Sequence, residues 1–497
     1  MDICRRQFNL LTLAGLASRP SWTLPSRPKL LVLVVLGQFR ADALSRVASQ
    51  LLPGGIRRLI EKGAFFHDCR HAASTFPLTT TATLACGAWP AQHGIVADTW
   101  YDRTGKGPVP ASEEELLATT LAAGIATEPN TRVFVVGMES AQAGIFAGTP
   151  LAQVFWMDDN GQMATRGDSR EWLDKFNSRS LAPANLHDKP WQVMGGRVAL
   201  DTVPPLRVLN FDPARPREFM ALYKSSPFAQ TALFDFAGEL ITRNSLGQNG
   251  SFDFLCLING ASTRLGYETG AGAGNPLMDQ LTLHLDHSIE QLLGQCSHGA
   301  GEGNFNFVLA GGHGAPVEPP EESRERMTVN GEAVAGSIDR TLRGGGLGHV
   351  EKYIYPFLYL DTSGFRDPEE ARRGAARAAM ALPSIAGYYT AGGACSVRSE
   401  WQRRFQNSFH PTRSGDMMLS YRSGYVEDFG KGRGISYGSL YNYDASVPLC
   451  FYGPQFRAGV HEIAVESIDV APTLARACGV AAPSSSTGRV LAEALAE

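Results

Sequence analysis

The run Leu30-Leu31-Val32-Leu33-Val34-Val35-Leu36 is seven apolar residues without a polar break. It is too short to cross a bilayer as a helix, which needs about 20 apolar residues. Its valine content and its stop at Gly37 predict a strand. A strand that is apolar at every position has to be covered on both faces, the condition of a parallel sheet held between helical layers. Shorter strand-like runs occur at 132–137, 253–258, 305–310, 356–360 and 448–452. Helical patterns lie between several of them. One covers 41–62 with a break at Pro53-Gly54-Gly55, one covers 278–293 with apolar residues at Leu281, Leu283, Leu285, Ile289 and Leu292-Leu293 that suit a one-sided helix, and a short one closes the chain at 468–478. Alternating strands and helices predict an α/β fold, a doubly wound, mostly parallel central sheet flanked by helices. In such sheets, sites form at the carboxyl ends of the strands.

Four stretches, 105–115, 160–168, 270–275 and 316–346, are polar or rich in Gly and Pro and read as loops. None is a linker between independent units. The expected organisation is one domain over 26–497 with cap-like insertions at about 150–250 and 361–430.

The formal net charge of the 497 residues is −4, which gives no electrostatic case for nucleic acid or an anionic membrane surface. Arg5-Arg6 followed by the mostly apolar residues 10–17 fits an export signal over 1–25, of twin-arginine type, and places the protein in the periplasm or outside the cell. No transmembrane helix is expected. The eight cysteines show no zinc-type spacing. Cys86, Cys256 and Cys450 sit in apolar runs and read as core residues, and one disulfide elsewhere stays open.

Five segments, in order, carry a resemblance. They are KLLVLVVLGQFRAD from Lys29, TFPLTTTATLACGAWPAQHGIVADTWYDR from Thr75, the stretch 253–293, FNFVLAGGHGA from Phe305, and ISYGSLYNYDASVPLCFYG from Ile435. Together they resemble the alkaline phosphatase superfamily, in the branch of phosphate-irrepressible alkaline phosphatases and type I phosphodiesterases/nucleotide pyrophosphatases. That resemblance implies two metal ions, usually zinc, clamping a phosphoryl group, and a Thr or Ser nucleophile activated by one of them.

Carried over by position, the resemblance implies a site that has lost most of its ligands. Gly37 stands where the first strand should end in an aspartate. Thr263 and Tyr267 stand where an aspartate and, four residues on, a histidine are expected. Gly312 replaces the aspartate of an Asp-His-Gly turn and leaves His313, and Tyr437 replaces the histidine of a His-Gly-Ser turn. Pro77 falls at the nucleophile when counted back without gaps from Cys86-Gly87; a short gap brings Thr75 or Thr79 into register, with Thr80 a further hydroxyl. Asp98 takes the place of an asparagine that holds a phosphoryl oxygen, and Glu139 and Ala141 those of a lysine and an arginine, so one side of the site loses positive charge. Asp98, Asp102 and Asp444 read as polar anchors of loops, and Asp102-Arg103 as a structural pair. His284 and His287, three apart on a predicted helix, read as a solvated helix face.

The expectation is a catalytically inactive homologue of metal-dependent phosphatases. It would keep the cleft for an envelope ligand or protein whose identity the sequence does not give, with no cofactor. The alternatives are an active phosphoric ester hydrolase with a rebuilt site, which would use zinc, and a metal-free glycan binder.

Overall fold

The computed structural model describes residues 27–496 apart from 168–170, 180–185, 187, 196–197, 200–203, 211, 213, 319, 364–366, 398–399 and 429–436. The expected export signal and Cys4 lie outside the described residues. Leu30–Leu36 forms the centre of a ten-stranded sheet. Its order is Gly459–His461, Ala64–Arg70, Ser446–Tyr452, Phe305–Gly311, Leu30–Leu36, Phe252–Asn259, Thr131–Gly137, Gln153–Met157, Met163–Thr165, with Val465–Glu466 beside Ala64–Arg70. The pairings around the centre are parallel; Ser446–Tyr452 runs against both its neighbours, as Met163–Thr165 runs against Gln153–Met157.

The central strand shows why its sequence is apolar throughout. Leu30, Val32, Val34 and Leu36 pack on one face among residues of the helices Pro227–Arg243 and Pro276–Ala300. Leu31, Leu33 and Val35 pack on the other among those of Pro77–Cys86, Leu121–Ala126 and Val470–Cys478. The side-chain period of two sends alternate residues into two separate cores, so neither set can be polar. Asp253 enters the next strand fully buried because Arg132, on the neighbouring strand, grips its carboxylate with two nitrogens at 2.8 Å.

A second sheet lies apart from the first. His349–Ile354, Phe357–Asp361, Met417–Tyr421 and Ile385–Thr390 pair antiparallel in that order. The helices Gly331–Gly344 and Pro368–Met380 contribute to its core, with Phe76, Ala82, Ile95 and Trp100 from the central domain. This layer starts before the expected insertion at 361–430, because His349–Ile354 needs Phe357–Asp361 as partner. The run at 356–360 therefore belongs to this sheet and not to the central one. The expected insertion at 150–250 divides: Gln153–Met157 and Met163–Thr165 extend the central sheet, and Pro227–Arg243 is one of its covering helices. Of the seven described cysteines all are free, and six are buried.

Candidate functional site

The register of the sheet builds the site. Leu36 is aligned with Asn259 on one side and Gly311 on the other. Gly37, Gly260 and Gly312 therefore follow three adjacent parallel strands at one edge. Thr131–Gly137 ends at the same edge and delivers Glu139 and Ala141. The helix Pro77–Cys86 begins there, with Pro77 in its first turn, where a missing N–H costs nothing, and it ends at Gly87 in the left-handed region. A cavity of about 320 Å³ is lined by Pro77, Asp98, Glu139, Thr263, Tyr267 and Tyr437, among others. Ala141 and Arg264 line it too. The structure thus brings together most of the positions expected from the sequence.

The two glycines at the expected aspartate positions differ in the space around them. A side chain at Gly37 would start 2.2 Å from the Thr263 hydroxyl, so threonine occupies the space the aspartate would need. A Cβ at Gly312 would find only ordinary contacts, the Leu36 carbonyl at 3.4 Å and the Thr80 hydroxyl at 3.6 Å. Gly312→Ala is therefore expected to be neutral or to stabilise by up to about 0.5 kcal/mol, through lower entropy of the unfolded chain. Urea unfolding checks this.

His313 is buried and fully engaged. The Gln38 backbone N–H donates to its Nε2 at 3.3 Å, which fixes that nitrogen as the acceptor. The Thr263 hydroxyl then donates to the same Nε2 at 3.0 Å, and Nδ1–H donates to the Gly314 carbonyl at 2.8 Å. Burial holds the imidazole neutral, with its pKa lowered to about 4. One nitrogen carries a proton and the single lone pair of the other already meets two donors, so no lone pair points at a metal.

The residues present do not fit the metal pair that the resemblance implies. Gly37 and Gly312 offer no donor, Tyr437 and Tyr267 are phenols, and burial pushes the Tyr437 hydroxyl far up from its ordinary range. No group of three or more His, Cys, Asp or Glu side chains among the described residues is placed to hold a metal ion. The threonines are not exposed nucleophiles. Thr75 is buried and its hydroxyl accepts the Gly438 N–H at 2.7 Å, Thr80 donates to the Phe76 carbonyl at 3.1 Å, and the buried Thr79 hydroxyl has no partner among the described residues.

The Leu78 N–H, at the start of the helix, donates to Asp98 Oδ1 at 3.0 Å. A helix N-terminus attracts anions; here the chain supplies its own carboxylate. Removal from water raises the Asp98 pKa to about 6, against the lowering effect of that hydrogen bond. Asp102 and Asp444 likewise anchor turns, through the Thr104, Gly105 and Ser439 N–H groups.

Three expectations are corrected. Positive charge has not left the Glu139 side, because Arg264 donates to Glu139 Oε1 at 2.9 and 2.6 Å and the buried Lys224 stands 3.8 Å away. Arg264 and Lys224 come from two different helices, so their approach to Glu139 carried no sequence signal. Arg103 pairs with buried Asp416, not Asp102. His284 and His287 are half-buried, with His284 Nε2 3.3 Å from the Gln192 carbonyl.

The model of the family described as type I phosphodiesterase / nucleotide pyrophosphatase matches residues 31–426. The chain is similar to alkaline phosphatase PafA of Elizabethkingia meningoseptica, at 22% identity over 98% of each chain. It is similar to alkaline phosphatase PhoV of Synechococcus elongatus at 24% identity, covering 95% of this chain and 93% of the relative. Among solved structures, wild-type alkaline phosphatase PafA superposes with a TM-score of 0.83 at 20% identity, over 95% of this chain and 100% of that one. Murine ectonucleotide pyrophosphatase/phosphodiesterase 5 gives 0.55 at 14% identity, over 91% and 95%. With its central sheet and the match over most of its length, the chain belongs to the type I phosphodiesterase/nucleotide pyrophosphatase family of the alkaline phosphatase superfamily.

Proposed function

We propose that this protein is a non-catalytic member of its family that uses the cleft to bind a ligand of the cell envelope. The observation that carries this reading is the state of His313. The one imidazole kept at a ligand position has both ring nitrogens committed inside the protein, and its neighbours are Gly37, Thr263 and Gly312. Two divalent cations need several anionic or imidazole donors, and loss of a single donor already weakens a site strongly. The expected export signal supports an envelope location, and no described helix is long and apolar enough to cross a membrane.

A second reading is hydrolysis of phosphoric esters through a rebuilt site using zinc. The family match and the relatives named alkaline phosphatases support it, as does Arg264 beside the cavity. One experiment separates the two. Purified protein is assayed for zinc content and for turnover of p-nitrophenyl phosphate and bis-p-nitrophenyl phosphate. The expected result is zinc far below one equivalent and hydrolysis equal to the buffer blank. One or two equivalents of zinc accompanied by turnover would sink the non-catalytic reading.

A further inference from the structure

We infer that the cleft between the two sheets is a site for an organic ammonium cation, a protonated amine or quaternary ammonium group. This deepens the binding reading above and rests on it. The cavity at the strand ends continues into a second lobe of about 810 Å³, and both are lined by Asp98, Tyr267 and Tyr437. That volume lies in the range of small-molecule sites.

The charge in the larger lobe is one-sided. Asp98, Glu332, Glu427 and Asp428 face it, against Lys352 on its wall. Two of these acids decide the case. Asp98 accepts the neutral Leu78 N–H, and the buried Glu427 accepts the Tyr353 hydroxyl at 3.0 Å and the Tyr421 hydroxyl. Neither forms an ion pair among the described residues. Removal from water raises the pKa of both. Elsewhere some buried acids have a cation: Asp253 has Arg132, and Asp416 has Arg103 and Arg372. Asp286 and Asp444 are held by backbone N–H groups and do not line this lobe. A carboxylate taken from water without a countercharge is costly, and a ligand cation is the missing partner.

The rest of the lining suits such a ligand. Phe76, Tyr353 and Tyr355 add to the two shared tyrosines. Aromatic rings attract ammonium groups, most strongly where both are desolvated. Phosphate would meet the carboxylates in repulsion, and a neutral sugar would leave them uncompensated.

The test is calorimetric titration of the full protein at low salt with tetramethylammonium chloride and with ethanolamine hydrochloride. Sodium chloride, inorganic phosphate and glucose serve as controls. Saturable binding of at least one of the two amines is expected. Asp98→Asn and Glu427→Gln should each weaken it tenfold or more. Lys352→Ala, an exposed change that leaves the fold alone, should tighten it severalfold. The inference is overturned if neither amine binds, if phosphate or glucose binds better than both, or if the two acid variants bind the amine like the parent. The lysine variant guards against misfolding of the other two, since unchanged or weaker binding there also counts against the inference. Turnover in the phosphate-ester assay would remove the non-catalytic reading without touching amine binding. Absence of amine binding would leave that reading standing.

Discussion

Gly37→Asp is expected to destabilise the fold by about 4 kcal/mol, and not to restore a metal site. The new Cβ would start 2.2 Å from Thr263 Oγ1. Threonine can clear it only by turning its hydroxyl away from His313, because two heavy atoms branch from its Cβ and one rotamer already serves that bond. Crowding of this kind costs about 1–3 kcal/mol. The lost hydrogen bond costs about 1 more. The new carboxylate would also sit at a buried position, 37, with its strand-end neighbours Gly260 and Gly312 uncharged. Adding Thr263→Ala should return about half of the loss by opening the space. Adding zinc should return none, because Gly312, Tyr267 and Tyr437 still supply no carboxylate or imidazole. Denaturant unfolding of the two variants, with and without zinc, reads this directly. A stable single variant, or one stabilised by zinc, would show that the strand ends still form a metal cradle.

This pairing of Gly37 with Thr263 marks the limit of what the chain reveals when read as a string. The positions themselves were legible. Gly37 follows an unmistakable buried strand, and Gly312 is fixed by His313 and Gly314, so the register at both could be counted. That threonine fills the glycine's space was not legible, because the two residues meet only once parallel strands far apart in sequence align Leu36 with Asn259. The central sheet was readable because burial on both faces leaves only apolar residues. Of the second sheet only the run at 356–360 was readable, because its other strands carry polar residues such as Glu351, Lys352 and Ser420. The hydroxyls around the nucleophile position show the same divide. Threonine-rich sequence at 79–81 suggested spare nucleophiles, yet the helix that begins at Pro77 turns Thr79 and Thr80 into the interior.

Electrostatics at the cleft follows from packing that the sequence does not show. Glu139, Arg264 and Lys224 come from three separate elements and form one ion cluster. Counting residues at positions expected to hold phosphate finds only the glutamate. The cluster neutralises that acid locally, and Arg264 lines the same cavity. The lobe around Asp98 and Glu427 has no such neutralisation among the described residues. The two ends of the cleft thus differ in charge, which is a means of orienting a ligand with one cationic end.

Glu427→Gln should become more stabilising relative to the parent as pH rises, by about 3 kcal/mol between pH 4 and pH 8. Burial raises the Glu427 carboxyl from the usual 4.5 to about 7, against the lowering effect of the Tyr421 and Tyr353 hydroxyls and the Gly331 N–H. Between those two values the folded protein keeps a proton that the unfolded chain releases. Stability from this group is therefore complete below about 4.5 and is lost as pH rises through 7. Glutamine carries no charge at any pH, so any constant cost of imperfect hydrogen bonds cancels from the slope. The parent alone would not reveal the effect. His71 and His313, lowered to about 4, and His93, lowered to about 3, are neutral and buried, and they take up protons on unfolding below 6.5. Their stability contribution grows as pH rises through the window in which that of Glu427 declines. The difference between variant and parent removes this opposing term, because the histidines are common to both. Urea unfolding at pH 4, 6 and 8 supplies the three differences. Parallel curves would mean that Glu427 titrates normally and that the wall of the cleft is wet. A rising difference would place an uncompensated carboxylate there, the feature that an ammonium ligand would complete.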